Sequence, residues 1–161
     1  MNSDNLKEQF KVTVSIYFAL LVGQLLFFAV AFWFSRTEEF TANKELDEIF
    51  QIIVPLFGLM MMIFSRFLYS KNISGVDENE NVKTKIAKYR TFKIIQWALV
   101  ESATMFSLIA LMTTGNHLYT AVFIFLIGYF FLVKPSKENF VSELKLNSAD
   151  AHELLNNKFL V

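Results

Sequence analysis

Four apolar stretches, each close to the length of a bilayer crossing, constrain this chain more than any other feature. A spanning helix needs roughly 20 apolar residues to cover about 30 Å of hydrocarbon. Val12–Phe34 meets that length without a charge, and Ile49–Tyr69 meets it if Arg66 snorkels from near its end to the headgroups. Ile94–Met112 contains one ionisable residue, Glu101. Leu118–Val133 is shorter, but the uncharged run reaches back through His117 to Thr113, which gives a fourth span over 117–133. Hydrophobic residues make up 54% of the 161, with 19 Phe, against about 45–50% apolar in a soluble domain. A globular fold would have to bury four helices that are apolar all round, which belongs to a membrane or a very large core. The chain therefore reads as an all-α, polytopic membrane protein with four transmembrane helices.

The first block is longer than the apolar core of a signal peptide, about 7–15 residues, and no small-residue cleavage site follows before Arg36. The first helix is expected to stay in place. Charge sets the orientation. Four crossings put the N-terminal tail, the middle loop and the C-terminal tail on one side, with thirteen of the 15 Lys and Arg residues. The other side holds Arg36 and Lys44 among Glu38, Glu39, Glu45, Asp47 and Glu48. The positive-inside rule makes both termini cytoplasmic, in a bacterial inner (plasma) membrane. Lys83–Lys93 is chiefly part of this signal, with anionic lipid as an additional contact.

Sliding the third helix over the first by 79 residues gives a recurring match. Phe10-Lys11 falls on Tyr89-Arg90, Phe18-Ala19-Leu20 on Trp97-Ala98-Leu99, Gly23 on Ser102, Phe27 on Phe106 and Ala31 on Ala110. The second and fourth helices match less well, through Leu56-Phe57-Gly58 and Leu126-Ile127-Gly128. The pattern predicts two tandem helical hairpins from an internal duplication, although any two Leu/Phe-rich helices align somewhere. Small residues four apart permit close helix approach in lipid. Ala19 and Gly23, Ala98 and Ser102, and Ala103 and Ser107 have that spacing. Helices one and three are accordingly expected to pack at the centre, with the Phe-rich second and fourth outside.

The soluble parts are an acidic external loop over Ser35–Asp47, a middle loop over Lys71–Lys88 and a tail over 136–161. Gly115 is the expected C-cap of the third helix. After Pro135 two short amphipathic helices are predicted. One is capped by Ser136 and carries Phe140, Val141 and Leu144; the other is capped by Ser148 and carries Leu154 and Leu155. Their apolar stripes suit the membrane surface or a partner groove.

Glu101 is the main candidate for chemistry. It lies about 10 Å into the bilayer, at about 1.5 Å per residue from Ile94, where an ionised carboxylate is costly unless paired or protonated. One reading is a structural ion pair with Arg66, supported by hydrogen bonds from Gln24, Ser102 and Thr104. The other is a proton or cation site. Gln24, near mid-bilayer, reads as interhelical glue. Pro55 removes a backbone hydrogen bond within the second helix and is expected to kink it; with Gln51 the kink marks a possible cavity. Met60-Met61-Met62 reads as lipid-facing filler, because consecutive residues point in different directions.

Zero net charge gives no field for nucleic acid. With no cysteines, and His117 and His152 in different segments, the chain has no evident metal set. It shows no phosphate-binding glycine loop, no HExxH and no row of intramembrane histidines for haem. No cofactor and no enzymatic activity are expected.

The stretch Tyr89-Arg90-Thr91, Trp97-Ala98-Leu99-Val100-Glu101, Thr113-Thr114-Gly115-Asn116 and Lys134-Pro135-Ser136-Lys137-Glu138 resembles a family of small four-helix bacterial membrane proteins, uncharacterised in activity. The resemblance covers most of the chain and implies architecture only. Two hairpins with a carboxylate in an Ala-Leu-Val-Glu context are also distantly similar to the duplicated proton-carrying proteolipid of rotary ATPases. Those helices are glycine-rich, with the carboxylate on the second helix of a hairpin; here there are five Gly, and Glu101 is on the first. The expected role is an accessory or structural membrane subunit whose partners are the bilayer, another membrane protein or a second copy. A small transporter or ion-translocating subunit using Glu101 is the alternative.

Overall fold

A computed structural model describes residues 3–37, 43–77 and 80–144. They form five α-helices and no strand: α1 (Ser3–Phe34), α2 (Lys44–Ser74), α3 (Val82–Thr114), α4 (Leu118–Leu132) and α5 (Lys137–Glu143). Three are long and apolar enough to cross a membrane, and α4 joined to α5 through a 61° bend makes a fourth candidate. The predicted second tail helix from Ser148, and Glu38, Glu39, Glu78 and Asn79, lie outside the described residues.

Local chemistry sets the helix ends. Asn43 caps α2, its side-chain oxygen accepting from the Leu46 N–H at 3.1 Å, and Glu45 and Asp47 in the first turn suit the positive helix end. Asn81 accepts from Lys83 N to start α3. Gly115 ends α3 with φ 69°, donating to the Leu111 carbonyl, a left-handed conformation that favours glycine. Ser136 accepts from Asn139 N to cap α5. The middle loop is shorter than expected, because α2 runs on through Ser74 and α3 begins at Val82. Pro55 lies within α2, which continues on both sides of it.

Helix α3 is the centre of the bundle and packs against α1, α2 and α4. Half of its most apolar window is buried, against 22% for the corresponding windows of α1 and α2. Trp97, Val100, Leu108 and Leu111 of α3 are buried with Tyr119, Phe123 and Phe130 of α4. The outer faces of α1 and α2 carry Trp33, Ile52 and Ile63, each more than 70% exposed. Such faces would be costly in water but cost little among lipid tails, which are as apolar as leucine.

This arrangement corrects the expected packing. Ala19, Gly23, Ala98 and Ser102 lie on exposed faces, and a Cβ added at Gly23 would meet nothing within 4 Å. Ala103 and Ser107 are buried, and α4 turns Tyr119, Phe123, Leu126 and Phe130 inward while Ile124, Phe125 and Leu132 stay exposed. The physical reason is aromatic. Tyr17 of α1 stacks on Phe130 with centroids 4.9 Å apart and meets Trp97 edge-on at 5.3 Å, and Phe28 stacks on Phe123 at 4.7 Å. These rings bury far more surface than the small residues on the other face.

Helix α5 is also placed differently from a free amphipathic helix. Phe140 and Leu144 are fully buried with Phe10, Ile86 and Tyr89, so its apolar stripe is spent against the bundle.

Candidate functional site

Three layers of polar side chains lie along the bundle axis. At the end that carries the α3–α4 turn, Asp47 accepts hydrogen bonds from Tyr119 Oη at 2.8 Å, Gln51 Nε2 at 2.8 Å and Asn116 Nδ2 at 3.1 Å. Asn43 N donates to the Thr113 carbonyl at 3.2 Å. The first turn of α2 is thereby tied to the turn between α3 and α4.

In the middle layer, the Thr104 hydroxyl lies 2.8 Å from both Gln24 Oε1 and the Glu101 carbonyl oxygen and shares its proton between them. Gln24 and Thr104 are fully buried, and Gln24 Nε2 has no partner among the described residues. Glu101 is half-buried, and its carboxylate makes no hydrogen bond or ion pair among the described residues. Arg66 is exposed, and no ion pair joins it to Glu101 among those residues. Ser102 is exposed and donates to the Leu99 carbonyl of its own helix. Of the five candidate polar residues, the structure brings Gln24 and Thr104 together by side chain and leaves Arg66 and Ser102 elsewhere.

At the opposite end, Lys93 is buried, its ammonium 4.0 Å from the Tyr69 ring centroid and 5.8 Å from that of Tyr89. It donates to Gln96 Oε1 at 3.3 Å. Tyr69 Oη donates to the Glu143 carboxylate of α5, and Glu143 and Arg66 both act electrostatically on Lys93. The Tyr89 hydroxyl is buried without a partner among the described residues. The sequence reading placed Lys93 in the basic run Lys83–Lys93 that signals topology. A signal for burial was the spacing Tyr89, Lys93, Gln96, which lies on one helical face.

Two further bonds concern the end of α4. Tyr17 Oη donates to the Phe130 carbonyl and Trp97 Nε1 to the Val133 carbonyl, each at 3.1 Å. Helix C-termini leave carbonyls unpaired, and in hydrocarbon each must find a donor. Two aromatic side chains supply them, and α4 can stop inside the bundle.

No cluster of three His, Asp or Glu side chains that could hold a metal ion exists among the described residues. Neither a protein-family model, a curated protein nor a solved structure matches this chain. The fold defines a class, an all-helical bundle with three or four helices apolar enough to cross a membrane among the described residues.

Proposed function

We propose that this is a non-enzymatic accessory or structural subunit of the bacterial inner membrane, crossing four times with both termini in the cytoplasm. The observation that carries the reading is where the polar side chains go. Gln24 and Thr104, Tyr17, Trp97, Tyr119 with Asp47, and Tyr69 with Glu143 each join one helix to another. They act as fasteners spread over three depths. The orientation is supported by the thirteen-to-two division of Lys and Arg.

An internal duplication is supported by shared environments at several matched positions. Phe10 and Tyr89 are both buried, Ala31 and Ala110 are both fully buried, and Val30 and Ile109 are both exposed. Phe18 and Trp97 differ, at 52% and 0% exposure.

Purification from native membranes through a C-terminal tag, followed by mass spectrometry of the intact assembly, tests the subunit reading. A stoichiometric foreign membrane protein is the expected result. A lone monomer or homo-oligomer would overturn it. A periplasm-active reporter inserted near Ala42 should work and one after Val161 should not; the reverse pattern refutes the orientation.

The second reading, ion translocation through Glu101, is favoured by one observation: that carboxylate has no hydrogen-bond or ion-pair partner among the described residues. Carbodiimide labelling that varies with pH, together with loss of ion flux in Glu101→Gln, would select it.

A further inference from the structure

We infer that the cleft between α1 and the α4–α5 connection is a binding site for one anionic phospholipid. The inference rests on the membrane embedding of the bundle and is independent of whether the protein has a protein partner.

The cleft follows from the length of α4. Its 15 residues reach about 22 Å at about 1.5 Å per residue, short of the roughly 30 Å hydrocarbon. The shortening is possible because Tyr17 and Trp97 satisfy the terminal carbonyls. Helix α1 does not stop with it: Phe10 and Val14 continue beyond the level of Tyr17, and the chain after Val133 turns away into α5 through the 61° bend. The space left between them is a cavity of about 340 Å³.

Its lining is amphiphilic. Phe10, Val14 and Phe18 of α1 form one wall, and Lys134, Lys137 and Glu138 lie on the connection side. Phe18 is 52% exposed, and Leu25, seven residues on along the same helical face, is 44% exposed. An acyl chain laid along Phe18 and Leu25 places its glycerol phosphate in the cleft, within the reach of two lysines. Lysines at a membrane boundary extend their ammonium groups to the headgroup layer, so Lys134 and Lys137 meet the phosphate there. Glu138 can accept hydrogen bonds from headgroup hydroxyls. Lysine ammonium groups suit a phosphate headgroup, and the adjoining apolar wall distinguishes a lipid from free phosphate.

The test is native mass spectrometry of the full chain in detergent, titrated with phosphatidylglycerol, phosphatidylethanolamine and phosphatidylcholine of identical acyl chains. The expected result is one retained phosphatidylglycerol, bound more tightly than either of the others. Lys134→Gln and Lys137→Gln should each weaken it roughly five-fold. Lys11→Gln removes an exposed charge of α1 that does not line the cleft, and should leave binding unchanged. Equal binding of all three lipids, preference for phosphatidylethanolamine, or equal loss in Lys11→Gln would overturn the site. So would displacement of the lipid by millimolar inorganic phosphate, because recognition would then lie in the phosphate alone. A protein partner found in native membranes changes none of these outcomes.

Discussion

Phe10 of α1 and Tyr89 of α3, 79 residues apart in the chain, both meet the ring of Phe140 edge-on, with centroids at 5.3 and 4.9 Å. Their positions correspond under the repeat read in the sequence, and together they hold α5 through one side chain. A seven-residue helix has no stability of its own in water, so this contact, the cap at Ser136 and the Tyr69–Glu143 bond keep α5 in place.

Truncating Phe140 to Ala should therefore release α5 while leaving the other helices formed. Removing a fully buried Phe costs about 3–5 kcal/mol, more than about two turns of helix can offset elsewhere. Limited proteolysis should then cut between Val133 and Leu144 far faster than in the unsubstituted protein. Circular dichroism should lose little helix. An unchanged cleavage rate would mean that the docking contact is not what orders this segment.

The all-helical class, the three long apolar helices and some of the ends were legible in the sequence because they depend on local properties. Apolar runs give spans, and Gly115 and Ser136 give caps without reference to distant residues, whereas the caps at Asn43 and Asn81 fell within segments read as loops. The packing was not legible. Ala19 and Gly23 have the spacing for close approach, yet Tyr17 and Gln24 on the other face hold the contacts. In a helix apolar all round, periodicity does not say which face turns inward, because lipid and protein interior reward the same residues. Lys93 and Asp47 escaped notice for a related reason. A charge at a span boundary looks like a topology signal until a tyrosine from another helix is seen beside it.

The Gln24–Thr104 bond predicts an asymmetric double-mutant cycle. Thr104→Val leaves the Gln24 amide buried with neither of its polar atoms paired, and should cost roughly 1–3 kcal/mol. Gln24→Leu removes an amide whose nitrogen already lacks a partner, and should cost less. The double substitution should be milder than the sum of the two, with a coupling near 0.6 and no more than about 2 kcal/mol. Reversible unfolding in mixed micelles measures all four corners. Strict additivity would mean that the hydroxyl and the amide do not interact.

At the other end of the bundle, Asp47 receives three side-chain donors from two segments remote from each other in sequence. Asp47→Ala strands Tyr119, Asn116 and Gln51 together. The expected loss exceeds that of Tyr119→Phe, which removes a single bond to a charged group, about 1.5–3 kcal/mol. Asp47→Asn keeps an acceptor and should fall between them. Unfolding midpoints in a single detergent rank the three variants. A Tyr119→Phe protein less stable than Asp47→Ala would show that the hydroxyl matters for something other than the carboxylate.

Glu101 and Arg66 supply the last prediction, and it follows from what is not joined. A structural ion pair would make Glu101→Gln and Arg66→Gln each destabilising and strongly non-additive, since either one leaves the same partner uncompensated. The geometry has Arg66 exposed and Glu101 half-buried with no ion pair between them among the described residues. The two effects on stability should then add to within about 0.5 kcal/mol. Glu101→Leu should be neutral or stabilising, because an unpaired carboxylate at membrane depth carries a desolvation cost that leucine does not. Thermal unfolding of the two single variants, the double variant and Glu101→Leu resolves the question. Coupling above about 1 kcal/mol would restore the ion pair. Additivity with a stabilised Glu101→Leu would mean the carboxylate is kept at a cost to stability, as expected of a group retained for ion or partner contact.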